Sequence, residues 1–170
     1  MAMASDEKNS MDFFKKVRIV PVSISYEYDP TDALKMPQLM AEANDEIYIK
    51  EKNEDFITLL SGIIGQKKRI HIHVGDVLDA ELDTISAETT NSNKQMFALA
   101  QVIDYSILQS YKLWPTNYIA YDLLHNTDSN SDKYTEKEKQ LFERRLELRI
   151  NADDAKMKES FLAMYANPVI

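Results

Sequence analysis

Val17-Arg-Ile-Val-Pro-Val-Ser-Ile-Ser-Tyr26 is the stretch that decides how this chain folds. It is rich in β-branched residues and carries apolar side chains at both parities. A strand covered on both faces reads this way, typically in a parallel sheet. Pro21 has no N–H to give to a ladder, so a bulge or a sheet edge is expected on its side. Asp29-Pro-Thr-Asp32 follows, an acid before a proline at a first helical position, which signals a helix start.

Working outward, Met11–Lys16 is expected to form a short helix before the strand. After it, Pro37 is expected to interrupt the chain, and a helix over about 37–49 would bury Leu39, Met40, Ala43 and Ile47. A further helix over about 54–64 would bury Phe56, Leu59, Leu60 and Ile63, with Gly65 placed to end it. Residues 69–75, Arg-Ile-His-Ile-His-Val-Gly, alternate strictly and predict a second strand. Residues 76–90 are polar and acidic without a clear period, and are expected to be mainly loop. Ser92-Asn-Lys-Gln95 has the form of a capping box, opening a helix that buries Met96, Leu99, Ala100, Ile103, Ile107 and Tyr111. Pro115 ends it, and a short helix carries Tyr118 to Leu124. Residues 126–133 read as a solvated loop. Thr135-Glu-Lys-Glu138 is a second capping box, opening a helix to about 150, and a last helix over about 153–166 ends at Asn167-Pro168. No internal repeat is present.

The class this predicts is α/β, with a partial sheet and an α-helical C-terminal extension. Two strands do not make an independently stable sheet, and a parallel pair needs neighbours and helices on both faces. The remaining strands are therefore expected upstream of this chain. Residues 1–90 would be the C-terminal half of an α/β domain and residues 91–170 the helical extension.

Composition narrows the function. Of 170 residues, 44% are hydrophobic and 28% charged, as in a soluble globular protein. The formal net charge is −8, a poor match to a nucleic-acid backbone, so no nucleic-acid partner is expected. The absence of cysteine excludes disulfides, thiolate metal sites and a cysteine nucleophile, and it fits a reducing, cytoplasmic setting. The start lacks a signal pattern, and no segment approaches the ~20 apolar residues of a membrane helix. Membrane contact, at the inner face, would be peripheral.

Several separated stretches agree in order with one family. Ile19-Val-Pro-Val-Ser-Ile-Ser-Tyr-Glu-Tyr-Asp-Pro30 resembles the fourth sequence block of the glycerol-3-phosphate and 1-acylglycerol-3-phosphate acyltransferases. Residues 55–78 resemble the segment after that block. Leu113-Trp-Pro-Thr-Asn-Tyr-Ile-Ala-Tyr-Asp-Leu-Leu124 resembles a helical region near the end of one bacterial branch. The resemblance spans roughly residues 10–125. It implies transfer of a fatty acyl group from acyl-CoA or acyl carrier protein to a glycerophosphate hydroxyl, without a cofactor. It also implies a His-x-x-x-x-Asp pair as general base and an upstream Glu-Gly-(Thr)-Arg block that holds the phosphate.

No Glu-Gly-Thr-Arg or Glu-Gly-Arg sequence occurs here. His71 and Asp76 have the His–Asp offset, but within an alternating strand and downstream of the Ile-Val-Pro-Val block, the reverse of the family's order. No residue of this chain is therefore expected to be catalytic, and the segment alone is expected to be inactive. The residues nominated for substrate contact are Pro21, Ser23 and Tyr26 of the strand and the basic run Lys67, Lys68 and Arg69. That run can meet an anionic head group or a coenzyme phosphate, or form a solvated turn. Tyr26-Glu-Tyr-Asp29 can line a pocket at a strand end or form a capped turn. His71 and His73 share a strand face; with no third ligand nominated, no metal site is expected. The apolar face of 56–64 and the Trp114, Tyr118, Tyr121 cluster can touch lipid or form core, and their helical spacing favours core; the charges of 136–149 read as a solvated helix face. The alternative to the acyltransferase segment is a non-catalytic α-helical interaction module that binds through exposed apolar surface.

Overall fold

A computed structural model describes residues 10–169. The elements are α1 (Ser10–Val17), β1 (Val22–Tyr26), α2 (Asp32–Ala43), α3 (Glu54–Ile64), β2 (Ile70–Val74), α4 (Asp79–Glu88), α5 (Ser92–Ser110), α6 (Pro115–His125), α7 (Glu136–Arg149) and α8 (Ala155–Ala166). Short 3₁₀ turns lie at Ser131–Lys133 and Asn167–Val169. Among the described residues the chain is mostly helical with one small two-stranded antiparallel sheet, and α/β describes it at that coarse level.

The described chain divides into two units, the first comprising residues 10–25 and 71–112 and the second 26–70 and 113–169. In the first unit, α4 packs against α1 and α5 around Met11, Leu78, Leu82, Ile85 and Leu99. The position between residues 90 and 91 thus falls between two helices of one unit. Residues 76–90 were expected to be loop; α4 occupies 79–88 because Leu78, Leu82 and Ile85 recur at helical spacing among the acids. The cap of α5 is also one residue earlier than expected. Asn91 Oδ1 accepts from Lys94 N–H at 3.1 Å, while Gln95 Nε2 donates to Thr89 O at 2.7 Å. Of the residues expected in the core of α5, Leu99 is buried and Met96 and Ala100 are exposed.

The sheet corrects the parallel, doubly covered strand. Gly75 N–H donates to Pro21 O at 2.9 Å, and the register sets Val22 opposite Val74 and Ile24 opposite Ile72. Pro21 offers only an acceptor there, so regular pairing stops. A Cβ on Gly75 would stand 3.3 Å from Pro21 O, a close approach that favours glycine. Burial alternates along β1. Ser23 and Ser25 point inward, whereas Val22 is 42% and Ile24 45% exposed. Ile72 and Val74 across the ribbon are 60% and 65% exposed. The apolar residues at both parities did not mean two covered faces: Ile19 packs on the core before the strand begins, and the strand's own apolar residues share one uncovered face.

In the second unit, α6, α7, α8 and α2 surround Tyr28, Met36, Ile119, Phe142, Phe161 and Tyr165. The capping box of α7 forms as expected, with Thr135 Oγ1 accepting from Glu138 N–H and Glu138 Oε2 accepting from Thr135 N–H at 2.9 Å. Pro37 does not interrupt the chain. It lies inside α2, where Met36 anchors the helix to the core, and residues 45–53 are not helical. Ile47, expected to be buried, is exposed. Helix α3 starts and ends near the expected positions but buries none of its residues, so Phe56, Leu59, Leu60 and Ile63 are surface rather than core. Among the described residues, no helix is long and apolar enough to cross a membrane.

Candidate functional site

Charged groups converge just after β1, in the second unit. Glu27 and Tyr28 N–H groups both donate across the ribbon, to Arg69 O at 2.9 Å and Lys67 O at 3.1 Å. Lys68 between them has a left-handed backbone, φ 58°. Neighbouring side chains of a regular strand point to opposite faces, and this irregularity cancels the alternation. As a result Lys68 and Arg69 reach the same carboxylate. Glu27, fully buried, accepts from Lys68 Nζ at 2.5 Å and from Arg69 Nε and Nη2 at 2.5 and 3.0 Å. Burial pushes the Glu27 carboxyl up, but the hydrogen bonds from Arg69 and Lys68 outweigh it and hold the group below its ordinary value. Arg69 also reaches Glu138 at 3.1 Å, and its guanidinium lies 5.2 Å from the Trp114 ring centre. Thr116 Oγ1 donates to Glu27 O at 2.8 Å, tying the start of α6 to the strand end.

A second buried carboxylate lies at the start of α2. Asp32 accepts from Arg145 Nη2 at 2.6 Å, Arg149 Nε at 2.9 Å and Tyr165 OH at 2.9 Å. Arg145 also donates to Asp29 O at 2.9 Å and stacks 4.3 Å from the Tyr28 ring centre, where Lys68 lies at 5.1 Å. Burial raises the Tyr165 hydroxyl pKa, and the neighbouring Asp32 charge adds to the rise, so Tyr165 is a hydrogen-bond donor throughout the neutral range. Asp29 forms an ion pair with Lys35 and accepts from Thr31 N–H and Oγ1; burial raises its carboxyl, and these contacts hold it below the ordinary range. Beside this network is a cleft of about 560 Å³ lined by Tyr28, Gly65, Gln66, Leu141, Arg144, Arg145, Leu148 and Arg149.

The nominated residues are only partly brought together. Lys68 and Arg69 meet on Glu27, and Lys67 Nζ lies 5.8 Å from the Tyr26 ring centre while donating to Ile63 O and Gly65 O. The basic run is therefore more than a solvated turn. Pro21 and Ser23 belong to the first unit, where the Ser23 hydroxyl is buried with no hydrogen-bond partner among the described residues. The helix face at 136–149, expected to be solvated, supplies the nearly buried Arg145. Asp32, Arg144, Arg145 and Arg149 were missed. The i, i+4 spacing of Arg145 and Arg149 gave them one helix face, but nothing local points to Asp32. No group of three or more metal-ligating side chains occurs among the described residues. Glu27 and Asp29, held below their ordinary values by their cationic partners, are poor proton acceptors. No protein-family model matches the chain, and neither a curated protein nor a solved structure is significantly similar to it.

Proposed function

We propose that the chain is a segment of a glycerophosphate-type acyltransferase of phospholipid synthesis, inactive alone, working in the cytoplasm at the inner face of the membrane. The observation that carries this reading is the ribbon of the first unit. The strand that resembles the family's fourth block leaves Val22 and Ile24 uncovered, with Ile72 and Val74 beside them. Apolar, β-branched sheet surface of this kind is what further strands or helices cover. Those elements would bring the His-x-x-x-x-Asp pair. Its imidazole takes the proton of a glycerophosphate hydroxyl, the oxygen attacks the thioester carbonyl, the C–S bond breaks, and the proton passes to the leaving thiolate. Of the nominated residues, Tyr26, Lys67, Lys68 and Arg69 of the second unit would line the acceptor side. The test is thiol release from acyl-CoA, with glycerol-3-phosphate and 1-acylglycerol-3-phosphate as acceptors. It compares this chain with the chain joined to the coding sequence before Met1. Turnover is expected from the longer protein alone. Turnover by the shorter chain, or none by the longer one, refutes the proposal.

A second reading is favoured by α3, whose Phe56, Leu59 and Ile63 are all exposed. In it the chain is a non-catalytic interaction module docking through that helix. It predicts that the longer protein also lacks turnover.

A further inference from the structure

We infer that the cleft on α7 in the second unit binds a phosphate monoester. Two guanidinium groups, Arg145 and Arg149, share the single carboxylate of Asp32, which balances only one of them. Arg144 lines the same cleft, is exposed, and pairs with no carboxylate among the described residues. The cleft is thus locally cationic on a chain whose formal net charge is −8. A carboxylate ligand would answer one of these charges; a phosphate monoester carries roughly −1.5 to −2 at neutral pH and answers both. Guanidinium forks match phosphate oxygens in geometry as well as charge. Leu141 and Leu148, both exposed, line the same cleft and offer apolar contact to the organic part of the ligand. The volume, about 560 Å³, lies within the roughly 300–1,000 Å³ typical of small-molecule sites. This binding does not depend on acyl transfer being the chain's role.

The test is calorimetric titration of the full chain at low ionic strength with phenyl phosphate, inorganic phosphate and benzoate. A second arm is co-sedimentation with phosphatidylcholine vesicles with and without phosphatidic acid. One saturable site is expected for phenyl phosphate, tighter than for inorganic phosphate and at least about tenfold tighter than for benzoate. Sedimentation that requires phosphatidic acid, without phenyl phosphate binding, assigns the monoester to a lipid head group and also supports the site. Arg144→Gln is expected to weaken either interaction about tenfold while leaving the melting curve unchanged, because Arg144 is exposed. Absence of saturation in both arms, equal binding of benzoate, or binding unaltered by Arg144→Gln overturns the inference.

Discussion

Replacing Arg145 by Met tests whether the second unit is held by its buried charges. The Arg145 side chain is only 10% exposed and the Asp32 side chain is fully buried. Arg145 Nη2 and Nε stand 2.6 and 2.8 Å from Asp32 Oδ2. Methionine keeps much of the aliphatic stem and removes the guanidinium. Removing one partner of a buried ion pair costs about 3–5 kcal/mol, because the remaining charge is left without compensation. Here Arg149 Nε at 2.9 Å, Tyr165 OH at 2.9 Å and Ala33 N–H at 2.8 Å still serve the carboxylate, which favours the lower end, about 3 kcal/mol. That loss is a large share of the ~5–15 kcal/mol that keeps a domain folded. Trp114, the only tryptophan, is buried in the same unit, so its fluorescence during urea unfolding reports the right body. Adding Asp32→Asn to Arg145→Met should cost less than the two single losses together, by about 1.5–3 kcal/mol. A loss under about 0.5 kcal/mol for Arg145→Met, or strict additivity in the double variant, refutes the reasoning.

Thr135→Ala removes the N-cap of α7 and should cost about 1 kcal/mol in the same Trp114 assay; no measurable loss would mean that the capping box is idle. Ser25→Ala removes a buried hydroxyl that finds no hydrogen-bond partner among the described residues. The thermal midpoint by circular dichroism should stay level or rise, since burying an unpaired hydroxyl costs about 1–3 kcal/mol, and a clear fall contradicts that account. Glu27 and Asp29 are both held below their ordinary values. Their stabilisation is complete above the unfolded carboxylate range, near pH 4, and is lost as pH falls through the lower folded values. The urea midpoint should therefore drop between about pH 4.5 and 3, and Glu27→Gln should show a lower midpoint at pH 7 with a smaller acid drop; equal acid drops count against the Glu27 pairing.

What could be read from the sequence was what neighbours in sequence decide. The Thr135–Glu138 box and the β2 strand each need only a few consecutive residues, and both formed; Pro115, expected to end the helix before it, instead stands in the first turn of α6. Helix α4 escaped because three apolar residues among acids make a weak period, strong enough to fold only once α1 and α5 supply the other side of the core. Pro37 misled because its cost to α2 is local, whereas Met36 beside it gains a buried contact with a distant core. The site was half legible. Lys68 and Arg69 were nominated for their charge, yet the left-handed turn at Lys68 that joins them on Glu27 has no signal in the residue types. Asp32 and Arg145 are 113 positions apart, and no spacing rule connects them.

The ribbon of the first unit carries the strongest constraint on function, because its two faces are assigned against their chemistry. Ser23 and Ser25, with hydroxyls that favour water, are buried; Val22, Ile24, Ile72 and Val74 are exposed. A single exposed valine is unremarkable, since much of any protein surface is apolar. Four β-branched residues in two facing cross-strand pairs are different, because the pairing adds their area into one surface. Fully burying such a side chain is worth about 1.5–3 kcal/mol, and these are roughly half exposed, so a covering element would gain several kcal/mol. A one-residue slip of β1 would turn Val22 and Ile24 inward and the serines outward, yet Pro21 and Gly75 pin the register against it. An apolar face fixed outward in this way is a surface that a covering layer would stabilise, and the proposed acyltransferase segment would need such a layer from outside the described residues.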